Sequence, residues 1–245
     1  TVLTQIEQER LAMTLYSVAN HPDRLLNEQL ANVSPKRICT DTNYFQTFNQ
    51  PHVKLVSVKK TPIEKIDATG ITTTEARFDL DAIIFATGFD ALTGALGRID
   101  ITGRGGEKLK QNWVDGPRSY LGLGVDGFPN MFLVNGPGAP AVLANMVLHA
   151  EAHVNWIADA IEYVGKHGYA AIEATTDAVD AWGAELVRRA DQTLFPKANS
   201  WYMGANVPGK PRVFMLFIGG FAAYNDICAE VAAAGYKGFE LTKAG

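Results

Sequence analysis

Three groups of residues have the types and spacing to do chemistry. Lys36 and Arg37 set two cations side by side before Ile38-Cys-Thr-Asp-Thr-Asn-Tyr-Phe45, and such a pair ordinarily stays in solvent. His149 and His153 stand four apart, so a helix would carry them on one face, as it would a pair of metal ligands. Glu151 falls in the wrong place for the zinc-protease pattern and no third ligand is evident, so the pair reads as a partly exposed helix flank. Gly122-Leu-Gly-Val-Asp-Gly127 has the spacing of a dinucleotide loop. That loop works only between a strand and a helix whose N-terminus holds the pyrophosphate. Phe128-Pro-Asn130 follow instead, which makes it a glycine-rich turn. Neither a G-x-S-x-G elbow nor a C-x-x-C pair is found, so hydrolase and thiol-redox chemistry lack their signatures.

The elements that must position such residues are those of an α/β protein. Asp81-Ala-Ile-Ile-Phe-Ala-Thr-Gly-Phe-Asp90 contains an apolar run, 82–86, with no polar residue to face water, the pattern of a strand buried on both faces. Ligands of such sheets gather at the carboxyl ends of strands, which makes Thr87 and Gly88 candidate cofactor contacts. Residues 130–134 read as a second buried strand, 213–218 as a strand, and 53–58 as a half-exposed one. Short strands are expected over 63–66, 71–74 and 77–80, with a turn at Ala68-Thr-Gly70. Helical spacing runs through the first 35 residues (Leu3, Ile6, Leu11, Leu15, Val18). A longer helix carries Ala150, Val154, Ile157, Ile161 and Val164, a stripe that assigns it to the core. Another starts at Thr175 or Thr176 as N-cap and presents Val179, Trp182, Leu186 and Ala190. The last presents Tyr224, Ile227 and Val231 and ends at Gly235.

At 47% hydrophobic and 20% charged residues the composition is that of a soluble globular protein, and a net charge of −4 leaves no footprint for nucleic acid. No apolar run reaches the length of a membrane span, and no signal peptide is visible. Two cysteines, Cys39 and Cys228, build no disulfide framework, so a reducing cytoplasm is the simplest setting.

The Ala86-Thr-Gly-Phe-Asp90 run resembles the A-T-G-F-D motif of flavin-dependent monooxygenases, the Baeyer–Villiger type in particular. Lys36-Arg37 with the stretch after it, Gly136-Pro-Gly-Ala-Pro-Ala-Val-Leu-Ala-Asn-Met146 and Ser200-Trp-Tyr-Met-Gly-Ala-Asn-Val-Pro-Gly-Lys-Pro-Arg212 are similar to further runs of that family. The resemblance covers roughly residues 36–241 and is greater to the phenylacetone- and steroid-oxidising members than to the cyclohexanone type. It implies FAD and NADPH as cofactors. O2 and a small ketone are the implied substrates, converted through a flavin peroxide to an ester or lactone. Arg37 is the implied catalytic residue and a cofactor contact, Lys36 an NADPH contact, and Trp201 a cofactor contact. Ala141, Val142, Leu143 and Met146 are the implied substrate lining, with Met146 also against the flavin.

The resemblance also implies an organisation. Residues 1–35 would be a helical segment left from an inserted helical domain. Residues 36–86 would be the returning half of an NADP-binding domain, and 87–245 the C-terminal part of an FAD-binding domain. The longer family members begin with a true G-x-G-x-x-G for FAD and carry a second for NADPH, and neither is in this chain. The missing N-terminal FAD/NADP-binding half, on another chain or on a longer form of this one, is therefore the expected partner. A non-catalytic piece, or a flavin monooxygenase acting on nitrogen or sulfur, are the alternatives.

Overall fold

The computed structural model describes residues 44–198, 200–205 and 207–243. The expected helix over 1–35 lies outside the described residues. These divide into two units, 44–89 and 90–243.

In the first unit a single helical turn, α1 (Tyr44–Thr47), precedes an antiparallel sheet of β1 (Ile63–Asp67), β2 (Gly70–Thr73) and β3 (Arg77–Asp79), in that order. The three short strands and their turn are those the sequence leads one to expect. Gly70 is demanded by close approach, because a Cβ there would collide with the Phe78 carbonyl. Asp67 caps the turn by accepting the Thr69 N–H at 3.1 Å, and the Arg77 guanidinium, also at 3.1 Å, holds its carboxyl well below the usual range.

Two expected strands are absent from this unit. Residues 53–58 form none: Leu55 and Val56 are adjacent apolar residues that break the period of two, and no strand among the described residues pairs with them. Residues 82–86 form none either. Ile84 is 91% exposed and Phe85 67%, and among the described residues nothing hydrogen-bonds to 81–88. A strand needs a neighbour to take its N–H and C=O groups, and here those groups are left to water.

The second unit holds a short α2 (Leu109–Asn112), α3 (Met146–Lys166), α4 (Thr176–Ala190) and α5 (Phe221–Ala233). Its one sheet among the described residues pairs β4 (Tyr169–Ala174) antiparallel with β5 (Phe239–Lys243), through Ile172–Leu241 and Ala174–Phe239. Neither strand is legible as such in the sequence. The expected strand over 130–134 is reduced to one bridge, Gly124 to Phe132, since Asn130 and Asn135 at its ends have φ of 59° and 55°, outside the β region. Residues 213–218 form no strand although 214–217 are buried. Met215 N–H donates to Tyr202 O at 3.3 Å and Phe217 N–H to Ala139 O at 3.0 Å, two separate loops that give no ladder.

Helix α4 has the expected N-cap and buried stripe, and ends at Ala190, short of the stop expected near Pro196. The Thr175 hydroxyl accepts the Ala178 N–H at 3.3 Å, and Val179, Trp182, Leu186 and Ala190 are buried. Helix α3 starts under Asn145, whose Oδ1 accepts the Val147 and Leu148 N–H groups at 3.1 and 3.2 Å. The covered face of α3, however, is not the expected stripe. His149, His153, Trp156 and Ala160 are buried, while Val154 and Ile161 are 53% and 58% exposed. The histidine pair is therefore interior, not a partly exposed flank. What permits this is α5, which supplies partners: the Trp156 indole donates to Cys228 O at 3.0 Å, and His153 meets the Tyr224 hydroxyl at 2.6 Å. The main core gathers these helices with Leu121, Leu123, Ile172 and Phe217. No helix among the described residues is long and apolar enough to cross a membrane.

Candidate active site

The loop before α3 is held from several sides. The Trp182 indole donates to Gly138 O at 3.0 Å, Gly138 N–H donates to Met215 O at 2.8 Å, and the Ser119 hydroxyl donates to Pro137 O. Gly138 has φ of 95°, and a Cβ there would press on Ser119 Oγ and Trp182 Nε1, so only glycine suits both the backbone and the space. Ala141–Leu143 then form one 3-10 turn, and the Asn135 amide donates to Met146 O at 3.1 Å, closing the loop onto the first residue of α3. The Asn135 Oδ1 is buried with no partner.

This arrangement leaves an apolar patch at the N-terminus of a 21-residue helix. Met146 is 44% exposed and Val147 77%, with Leu143 and Val134 also open. A helix N-terminus carries partial positive charge, so the patch suits a flat apolar ring whose edge bears negative charge. The turn at Gly122–Gly127 offers no second cradle for phosphates. Leu121, Leu123 and Val125 within and beside it are buried, and Tyr120 and Phe132 pair with Gly124.

A second, smaller core lies beside the loop. The turn Trp201–Met203, capped by the Ser200 hydroxyl on Tyr202 N–H at 3.3 Å, buries Tyr202 and Met203 against Ala141, Phe214 and Leu216. Leu92, Val142 and Trp201 pack on the same cluster. Lys210, nearly buried, reaches the Asp90 carboxylate and the Ala91 carbonyl, the latter at 3.1 Å. Three runs far apart in sequence, around Asp90, Ala141 and Trp201, thus share one cluster.

Under the patch, the histidines are neutral. His153 Nδ1 accepts the Asn135 N–H at 3.2 Å, so Nε2 carries the proton and donates to the Tyr224 hydroxyl, which in turn donates to Leu121 O at 2.5 Å. Burial lowers the His149 pKa to about 4, and burial with the neighbouring His149 lowers that of His153 to about 3.

No family model matches the chain. Acetone monooxygenase (methyl acetate-forming) of Gordonia sp. strain TY-5 is 44% identical over 208 residues, covering 84% of this chain and 39% of the relative. Phenazine N-monooxygenase PhzNO1 of Lysobacter antibioticus is 40% identical over 205 residues, 83% of this chain and 37% of the relative. A solved structure of oxidised steroid monooxygenase bound to NADP superposes with a TM-score of 0.76 at 53% identity, covering 86% of this chain and 39% of that one. The chain belongs to the Baeyer–Villiger monooxygenase family. It spans about two-fifths of the length of the relatives it matches.

In this Baeyer–Villiger chain the site candidates fall into distinct places. Lys36 and Arg37 lie outside the described residues. Thr87 and Gly88 are exposed in the first unit; Gly88 has φ of 81° with open space around it, so its backbone conformation, not crowding, calls for glycine. Leu143 and Met146 open onto the patch, Val142 and Trp201 are half-buried in the small core, and Ala141 is fully buried there. Sequence reasoning overlooked the Lys210–Asp90 pair, and the only signal for it was that each lies within a family-like run.

Proposed function

We propose that the chain supplies the C-terminal, substrate-side part of a Baeyer–Villiger monooxygenase. The whole enzyme takes a small ketone, O2, NADPH and a proton to an ester or lactone, NADP+ and water. The observation that carries this reading is the uncovered patch of Leu143, Met146 and Val147 at the α3 N-terminus, in a chain 53% identical to a steroid monooxygenase. FAD, when bound, supplies the oxygen-activating chemistry, and NADPH supplies the electrons. Met146 and the helix N-terminus hold the flavin ring, Leu143 and Met146 face the ketone, and the turn packing Ala141 and Val142 fixes their position. Thr87 and Gly88 contact cofactor, and so does the Trp201 turn. Lys36 contacts NADPH. Arg37, permanently charged and rich in donors, stabilises negative charge at the reacting oxygen. On this reading residues 36–86 belong to the NADP-binding domain, 87–245 to the FAD-binding domain, and 1–35 to an inserted helical segment. The enzyme works in the cytoplasm. The phosphate-binding loops come from an N-terminal half.

The test is a titration of the purified chain with FAD, alone and with the N-terminal part of the steroid monooxygenase that the chain does not cover. Tight one-to-one binding only in the mixture, followed by NADPH oxidation and an ester 16 mass units (one oxygen atom) above the ketone, is expected. Flavin binding and NADPH oxidation without an ester from any ketone overturn the reading. The 40% identity to a phenazine N-monooxygenase favours one alternative, oxygen transfer to an aromatic nitrogen, which the same assay detects as an N-oxide.

A further inference from the structure

Lys210 sits where lysines are seldom found. Its side chain is 11% exposed, and its ammonium donates to the Asp90 carboxylate and, at 3.1 Å, to the Ala91 carbonyl. The stem lies against the end of the Trp201 turn. Gly204 closes that turn by donating its N–H to Trp201 O at 3.1 Å. It has φ of 70°, and a Cβ there would stand 2.7 Å from Pro211 O and 3.3 Å from Lys210 Cγ. On the other side of the clamp, Leu92 has φ of 67°, a conformation a bulky side chain seldom adopts unless its surroundings impose it. Leu92 and Trp201 pack on the same small core.

We infer that Lys210 is a positioning residue for cofactor binding: it clamps the Trp201 turn to residues 90–92 and so sets where Trp201 meets the cofactor. The inference rests on the monooxygenase reading above. A nearly buried ion pair is a poor source of stability, because taking two charges out of water offsets most of their attraction. What this pair fixes is geometry. Met215 N–H, donating to Tyr202 O at 3.3 Å, holds the middle of the turn, and Lys210 holds its end. Trp201 is half-buried, so part of its indole stays open to a ligand.

The experiment combines amide hydrogen exchange on the full chain with equilibrium titrations of FAD and NADP+, into the chain alone and into its complex with the N-terminal part of the steroid monooxygenase. Lys210→Met keeps most of the stem and removes the ammonium. The amides of 203–205, bonded to the Ser200 and Trp201 carbonyls, are expected to exchange about tenfold faster or more, with those of α4 unchanged. Whichever cofactor Trp201→Ala weakens, Lys210→Met weakens by about tenfold or more, leaving the other as it was. In the Trp201→Ala background it adds nothing, as expected of a residue that acts through Trp201. Asp90→Asn weakens the same cofactor and replaces Lys210→Met if that variant does not fold, whereas Asp90→Glu, which keeps the carboxylate, retains most of the affinity. The inference is overturned by unchanged exchange at 203–205, by binding of neither cofactor, by equal weakening of both, or by additive losses. A Lys210-dependent affinity in a complex that makes no ester sinks the monooxygenase reading and leaves the clamp standing. Ester formation with both affinities indifferent to Lys210 does the reverse.

Discussion

The runs 82–86 and 213–218 are both strongly apolar, and both read as strands. Neither forms a ladder, but their surroundings are opposite. Phe217 stacks on Trp182 at 5.3 Å and 10°, with the Arg189 guanidinium 4.6 Å from its ring centre, and its N–H is taken by Ala139. Phe85 is 67% exposed, and among the described residues nothing bonds to its backbone. An apolar run states a need for cover, and what supplies the cover lies elsewhere in the chain. In the second unit Trp182, Tyr224 and the 138–139 loop provide it; in the first unit nothing among the described residues does.

The sharpest way to break this contrast is a matched pair of truncations. Phe217→Ala should lower stability by about 3–5 kcal/mol through loss of buried area and a cavity, and Phe85→Ala should change it by less than about 0.5 kcal/mol, in urea titrations of the isolated chain. Equal losses would mean that 82–86 is covered after all.

Acid probes how completely the second unit excludes water. His149 and His153 have folded pKa values lowered to about 4 and about 3, against 6.5 when unfolded, so their neutral burial favours folding above pH 6.5. Stability should fall as pH drops from 6.5 toward 4, by about 1.4 kcal/mol per pH unit for each histidine. Thermal melts across that range check it, and a flat profile contradicts neutral burial.

A smaller effect tests the polar contacts beneath the same core. Tyr224→Phe keeps the ring but strands the His153 Nε2–H and the Leu121 carbonyl, at a cost of about 1–3 kcal/mol. Chemical denaturation measures it, and a neutral result would mean that water replaces the hydroxyl.

Local signals were readable where the partners are local. Helix α4 carries its N-cap and its buried stripe within one segment, and β1–β3 close through turns of two and three residues. Helix α3 was readable in extent and not in orientation. Its apolar residues outnumber its core-facing ones, and two histidines take the buried face because Tyr224, 71 positions on from His153, satisfies one of them. The strands expected at 82–86, 130–134 and 213–218 needed neighbours that no local pattern reveals. At the candidate site, Leu143 and Met146 were legible as a loop-to-helix junction. The Lys210–Asp90 pair was not, since its charges lie 120 positions apart.

The bond from Tyr224 to the Leu121 carbonyl spans 103 positions, and that from Trp156 to the Cys228 carbonyl spans 72. A ribosome delivers the early partners first, and at about 5–20 residues per second the wait for α5 is on the order of ten seconds. During that wait His153, Trp156 and the 121 carbonyl have no interior to enter. The second unit is therefore completed from its far end, and a premature stop or a proteolytic cut before α5 removes the closing piece instead of a dispensable tail.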